Sequence, residues 1–206
     1  MRSLIIRCIL LATLIASRVE AASVDALFIV LGDQHSAYAR SAQLVAHVDR
    51  IKKENPGVPL AILIDGDSFE QGNVVALRSE GSIDFAMFRA LAQRAPTILN
   101  LGNHEPEFND VPTTVARLTA AGVKVIGNVR NRANGELYAP ASTLLDLGTL
   151  KAVVVGITTD VLNQYRAAVR PTLDLSSPEG WAREKFPGLL SIAPVKIVLS
   201  HAGLRL

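Results

Sequence analysis

Apolar positions along the chain follow two alternating rhythms. Residues 26–31 (ALFIVL), 59–64 (PLAILI) and 96–101 (PTILNL) are short, nearly unbroken apolar runs, and each stops at a cluster of glycine and polar side chains: Gly32-Asp33, Asp65-Gly66-Asp67 and Gly102-Asn103-His104. Runs of that length without alternation predict strands buried on both faces, as in a parallel sheet. Segments of helical spacing lie between them. In 36–55 the apolar residues Leu44, Val45, Val48 and Ile51 recur at helical intervals, and Asn55-Pro56-Gly57 ends the segment. Residues 83–94 and 111–121 predict two further helices, the second stopped by Gly122, and 123–127 a fourth strand.

Beyond Gly127 the rhythm changes. Tyr138 and residues 144–147 and 150–157 predict strands joined by tight turns, an antiparallel meander added to the first sheet. A helix over 177–190 opens with Ser177-Pro178-Glu179, and a last strand over 195–200 (VKIVLS) delivers His201. Four strands thus carry hydrogen-bonding or metal-binding residues at their carboxyl ends: Asp33 and His35, Asp67, Asn103 and His104, and His201. In open α/β sheets that rim is where ligands bind.

The first 21 residues have a different character. Arg2 and Arg7 bracket the start of an apolar run over 4–15 that is shorter than the ~20 residues of a membrane span. With the small-residue site Val19-Glu20-Ala21, it reads as a signal peptide over 1–21, leaving one domain over 22–206 and a periplasmic or secreted protein. The bland alternative is a buried first helix. Cys8, the single cysteine, would leave with the peptide, so the mature chain needs neither disulfides nor thiolate ligands.

Charge narrows the partners. The whole chain carries +2, and the leader supplies that excess through Arg2, Arg7 and Arg18 against Glu20. The remainder is balanced, which gives no electrostatic footprint for nucleic acid. Aromatics at 5% are too sparse for a base-stacking platform. No later run is long enough to span a bilayer.

The rim residues are carboxylates, histidines and one asparagine. That nitrogen–oxygen set suits manganese, iron or zinc. Asp33 and His35, two apart, leave an extended chain on the same side. Asp67 follows Gly66, which permits a sharp turn, and its two oxygens can bridge two ions. His104 stands beside a ligand and is a candidate general acid. Asp65 rivals Asp67, because it shares its face; we place it as a loop contact. Glu105 reads as a structural hydrogen-bonding residue, His47 as a surface residue, and Trp181 and Phe186 as core.

Together, Asp33-Gln34-His35, Gly66-Asp67 with Gly72, Gly102-Asn103-His104-Glu105 and Leu199-Ser200-His201 resemble the calcineurin-like metallophosphoesterases, specifically the secreted 5′-nucleotidase branch. The resemblance covers most of 24–206. It implies an α/β fold, a metallophosphoesterase-type β-sandwich of two mixed sheets flanked by helices in four layers. It implies two divalent ions, one on Asp33 and His35, the other on Asn103 and His201, with Asp67 between them. His104, oriented by Glu107, would aid the leaving oxygen. The activity implied is hydrolysis of a small-molecule phosphoester, a nucleotide, by a metal-bound hydroxide at the dinuclear centre.

The chain also departs from that family. Gly32 stands where the family has asparagine, and Glu107 where the nucleotidase branch has aspartate. Asn128 matches a recurrent family asparagine, though a turn residue explains it equally. No Gly-His-x-His block follows His201, and the chain stops at Leu206. The fold is therefore expected to be C-terminally incomplete, and the chain by itself to hold metal weakly and turn over poorly. The same fold also serves cyclic-nucleotide and thiosulfate-ester hydrolysis, and a non-catalytic exported scaffold is the rival from another class.

Overall fold

Four parallel strands line up in chain order: β1 (Leu27–Leu31), β2 (Leu60–Ile64), β3 (Thr97–Asn100) and β4 (Lys124–Ile126). The structure is a computed structural model, and it describes residues 24–148 and 150–203. The expected leader over 1–21, Cys8 and the stop at Leu206 lie outside the described residues. Helices α1 (Tyr38–Glu54), α2 (Val74–Ser79) and α3 (Ser82–Ala92), and α4 (Val111–Ala120) occupy the crossovers. Parallel neighbours need such long connections.

The unbroken apolar runs have a direct cause in β2. Leu60, Ile62 and Ile64 pack towards the helices with Val48, Phe88, Leu91 and Leu118, whereas Ala61 and Leu63 face the other way. With both faces buried, alternation disappears. β1 differs, since it is an edge strand and only half-buried.

The meander expected on the first sheet forms a sheet of its own. β6 (Ser142–Asp146) pairs antiparallel with β7 (Lys151–Thr158), which pairs parallel with β9 (Val195–His201). Among the described residues, only this second sheet is mixed. The physical reason lies in β7, whose two faces are both apolar. Ala152 and Val154 pack against Ile98 and Ile126 of the first sheet, while Val153, Val155 and Ile157 pack against Trp181. Stacking face to face buries both sides; an edge position on one sheet would leave β7 a free backbone edge. A small ribbon, β5 (Arg130–Asn131) with β8 (Leu173–Asp174), completes the described strands.

Helix α5 (Pro178–Leu189) covers the outer face of the second sheet, with Ser177 Oγ accepting from Gly180 N. Trp181 and Phe186 meet edge to face at 6.0 Å within that layer, as core residues. The order is therefore helix, sheet, sheet, helix, with three apolar interfaces. Directly under the rim the sheets touch through Asn100 and Gly156. A Cβ on Gly156 would collide with Asn100 Oδ1, and Asn100 Nδ2 donates to Ile157 O at 2.8 Å and to Leu199 O at 3.4 Å. No helix among the described residues is long and apolar enough to cross a membrane.

Candidate metal centre

Three loops leave the carboxyl ends of β1, β2 and β3, and the first two are stitched together by main-chain hydrogen bonds. Asp33 N donates to Gly66 O at 3.2 Å, His35 N to Asp67 O at 3.1 Å and Ser36 N to Ser68 O at 2.9 Å. These bonds hold Asp33, His35, Ser36 and Asp67 at φ between 45° and 52°, the left-handed region that side chains avoid. Among the described residues only Glu80 shares that conformation elsewhere without being glycine. Strain of this kind persists where the surroundings over-determine it, and it concentrates at functional sites.

The second and third loops cross in contact. A Cβ on Gly66 would sit 2.7 Å from Gly102 N, and one on Gly102 would sit 2.5 Å from Asp67 Oδ1. Glu105 ties the crossing. It is 1% exposed, and its Oε2 accepts from Asp67 N at 3.0 Å and Gly102 N at 2.7 Å, while Oε1 accepts from Ser68 N at 2.9 Å. Burial, with the neighbouring Asp67 charge, pushes its carboxyl up to about 7 against those amide bonds.

Above the crossing opens a cavity of about 740 Å³ that takes in Asp33, His35, Asp67, Asn103, His104 and His201 together. Donor atoms of Asp33, His35 and Asp67 all lie within 4.8 Å of one another. Asp67 Oδ2 is 3.0 Å from His201 Nε2, and its Oδ1 accepts from His104 N at 2.8 Å. Asn103 Nδ2 donates to Gln164 O at 3.4 Å, so its amide oxygen is the atom it could offer to a cation. His104 Nε2 faces the same Asp67 Oδ2 at 4.0 Å, and Glu107 Oε1 stands 3.0 Å from its Nδ1. Arg166 Nη1 holds the Glu107 carbonyl at 2.8 Å.

The charges respond to this crowding. Burial alone would raise the Asp67 carboxyl, but the His201 ring and the His104 amide outweigh it and hold it below the usual range. Burial likewise works against His201, yet Asp67 pushes the imidazole up to about 9. Glu107 raises His104, chiefly through its contact with Nδ1. Asp65 also lines the cavity; burial, with the charges of Asp33 and Asp67, pushes it up to about 6 although Asn100 bonds to it. It does contact a neighbour, as expected, but it also faces the site. Oxygen and imidazole donors gathered at such density fit manganese, iron or zinc.

Other residues fall away from the cavity. His47 is exposed, with Nδ1 2.7 Å from Arg50 Nη2. Asn128 is buried and accepts from Thr158 N at 2.9 Å, which ties β4 to β7. Sequence reasoning missed Glu70, whose Oε2 lies 3.5 Å from His35 Nδ1, and the Thr159 and Gln164 wall. Three-residue spacing from Asp67 was the available signal for Glu70. Nothing in the pattern marked the wall.

The family model of calcineurin-like phosphoesterases matches residues 26–205. The chain belongs to that family. No curated protein matches this calcineurin-like phosphoesterase. Its fold is similar to solved structures of a 5′-nucleotidase precursor from Thermus thermophilus (22% identity, TM-score 0.65, 85% of this chain and 37% of that one). It is likewise similar to an NAD nucleotidase from Haemophilus influenzae (18%, 0.66, 85% and 34%) and the sulfate thiohydrolase SoxB from Thermus thermophilus (18%, 0.62, 78% and 29%). The chain therefore spans about a third of the length of these proteins. At such identities the likeness establishes the phosphoesterase fold.

Proposed function

We propose that this chain is the metal-binding domain of an exported phosphoester hydrolase acting on nucleotides, with 5′-nucleotides as the first substrate class. One observation carries the reading. Asp67 is shared by two donor groups, with donor atoms of Asp33 and His35 within 4.8 Å and His201 Nε2 at 3.0 Å.

In this reading Asp33, His35 and Asp67 hold one divalent ion, and Asp67, Asn103 and His201 hold a second. When bound, such a pair neutralises phosphoryl oxygens and makes water acidic enough to attack near neutral pH. The chain's own residues supply the rest. His104 keeps Nε2 on the Asp67 side, where it can give a proton to the departing oxygen, and Glu107 favours the protonated ring. Glu105 and the crossed glycines keep Asp67 and His104 in register. The nucleotide assignment leans on the resemblance of the four motif blocks and on two neighbours named as nucleotidases. Export rests on residues 1–21.

The test is metal titration of the purified 206-residue chain, followed by hydrolysis assays on a nucleoside 5′-monophosphate, a cyclic nucleotide and a thiosulfate ester. Metal-dependent release of phosphate from the monophosphate is expected, at a low rate, and is lost in Asp67→Asn. Binding of no ion, with Asp67→Asn unchanged in every assay, overturns the hydrolase reading in favour of the scaffold. Preference for another ester overturns the nucleotidase assignment alone.

A further inference from the structure

Glu70 lies three residues beyond Asp67, and the proposed chemistry makes no use of it. Its carboxylate is anchored at one end, where Oε1 accepts from Gly72 N at 2.6 Å. A Cβ on Gly72 would stand 2.9 Å from the same oxygen, so glycine is what lets the carboxylate fold back this closely. Its backbone is anchored as well. Glu70 N donates to Ser36 Oγ at 3.0 Å, and Asn73 Nδ2 donates to Ser36 O at 2.8 Å.

With one oxygen committed, the other is aimed between two imidazoles. Oε2 lies 3.5 Å from His35 Nδ1 and 4.0 Å from His104 Nδ1. The His35 nitrogen is buried and makes no hydrogen bond, whereas the His104 nitrogen already has Glu107 Oε1 at 3.0 Å. The rings meet edge to face at 4.9 Å, and each turns its opposite nitrogen to the cavity: His35 Nε2 is 3.8 Å from Asp33 Oδ1, and His104 Nε2 is 4.0 Å from Asp67 Oδ2.

A histidine that ligates through one ring nitrogen carries its proton on the other, and a carboxylate behind the ring fixes that arrangement. His104 has Glu107 in that place. Among the described residues, His35 has Glu70 as its one carboxylate within reach of Nδ1. Closing the gap by about half an ångström makes it an ordinary hydrogen bond. We infer that Glu70 is the positioning residue of His35: its carboxylate accepts from Nδ1–H and holds the neutral ring in the tautomer that leaves Nε2 free for a cation. The inference rests on the reading of His35 as a ligand. His35, Glu70 and His104 also have donor atoms within 4.8 Å of one another, so a third ion is the competing use of the same side chains, and it would displace protons from Nδ1.

The test is ring nitrogen NMR on the histidine-labelled, metal-free 206-residue chain at about pH 8, where an ordinary imidazole is neutral. His35 is expected to be protonated on Nδ1. Glu70→Ala should move the proton mainly to Nε2, whereas Glu70→Gln, whose amide oxygen still accepts, should keep it in place. Manganese affinity should fall about 10–100-fold in Glu70→Ala, and less in Glu70→Gln. If Glu70→Ala does not fold, Glu70→Asp replaces it, because the shorter arm cannot reach both Gly72 and His35. An unchanged tautomer in the Ala or Asp variant overturns the inference, as does zinc deprotonating Nδ1 of both rings in the wild type. If the wild type binds no ion while the tautomer still answers to Glu70, the ligand reading has failed and the hold on the ring stands.

Discussion

The two halves of the candidate centre are built to different standards. Asp33 and His35 hang from the edge strand β1, with side chains 70% and 36% exposed. Asp67 and His201 sit on interior ground, at 7% and 13%. The buried half is bonded from several directions before any cation arrives, whereas the outer half depends on main-chain stitching to the loop after β2. Preorganised donors lose less entropy on binding, so the inner position is expected to fill first and the outer one at higher metal concentration.

The sharpest way to break this contrast is Asp67→Asn, which removes a charge from both halves. Both binding events should weaken by more than about 100-fold in a calorimetric metal titration, since even indirect supports are worth 10–100-fold. Gly102→Ala comes next. Its Cβ would meet Asp67 Oδ1 at 2.5 Å and Asp67 N at 2.7 Å, so stability should drop by about 2–4 kcal/mol in denaturant melts, with the inner position losing more affinity than the outer. A paired comparison sharpens the contrast further. His201→Ala should suppress the tighter binding event, and His35→Ala the weaker one; the reverse outcome would show that burial does not set the order.

Much of this arrangement was legible from the sequence. Asp33, His35, Asp67, Asn103 and His201 announce themselves because each ends an apolar run, and parallel strands bring such ends to one rim. Glu107 was legible only through the family resemblance, in which the nucleotidase branch has an aspartate at that position. What stayed hidden depends on contacts between loops. Glu70 matters only because Gly72 turns its carboxylate back towards His35, and Asp65 reaches the cavity although it precedes the glycine turn. The separation of the second sheet was hidden too, because an apolar run such as 150–157 fits a sheet edge as well as a stacked layer. Helix α2, at six residues, is too short for a periodic signal; the Asn73 side chain, which accepts from Val75 N and Ala76 N, defines it.

Smaller effects probe the back of the outer half. Tyr38 opens α1 just behind the strained loop, and its hydroxyl donates to Asp84 at 2.6 Å. Tyr38→Phe should cost about 1–2 kcal/mol and weaken only the outer metal position. It also changes the pH response. Burial raises the Asp84 carboxyl and the Tyr38 bond opposes that rise. Because the native state holds this proton more tightly than the unfolded chain, stability declines as pH climbs from about 4 through the raised value. Removing the opposing bond should extend the decline to higher pH in thermal melts.

The missing side chain at Gly156 has a mechanical outcome for the whole molecule. By letting Asn100 reach across to the strand carrying His201, it ties both β-layers together directly beneath the candidate centre. Any adjustment to an arriving substrate must then come from the cavity walls around Thr159 and Gln164, while the floor stays still.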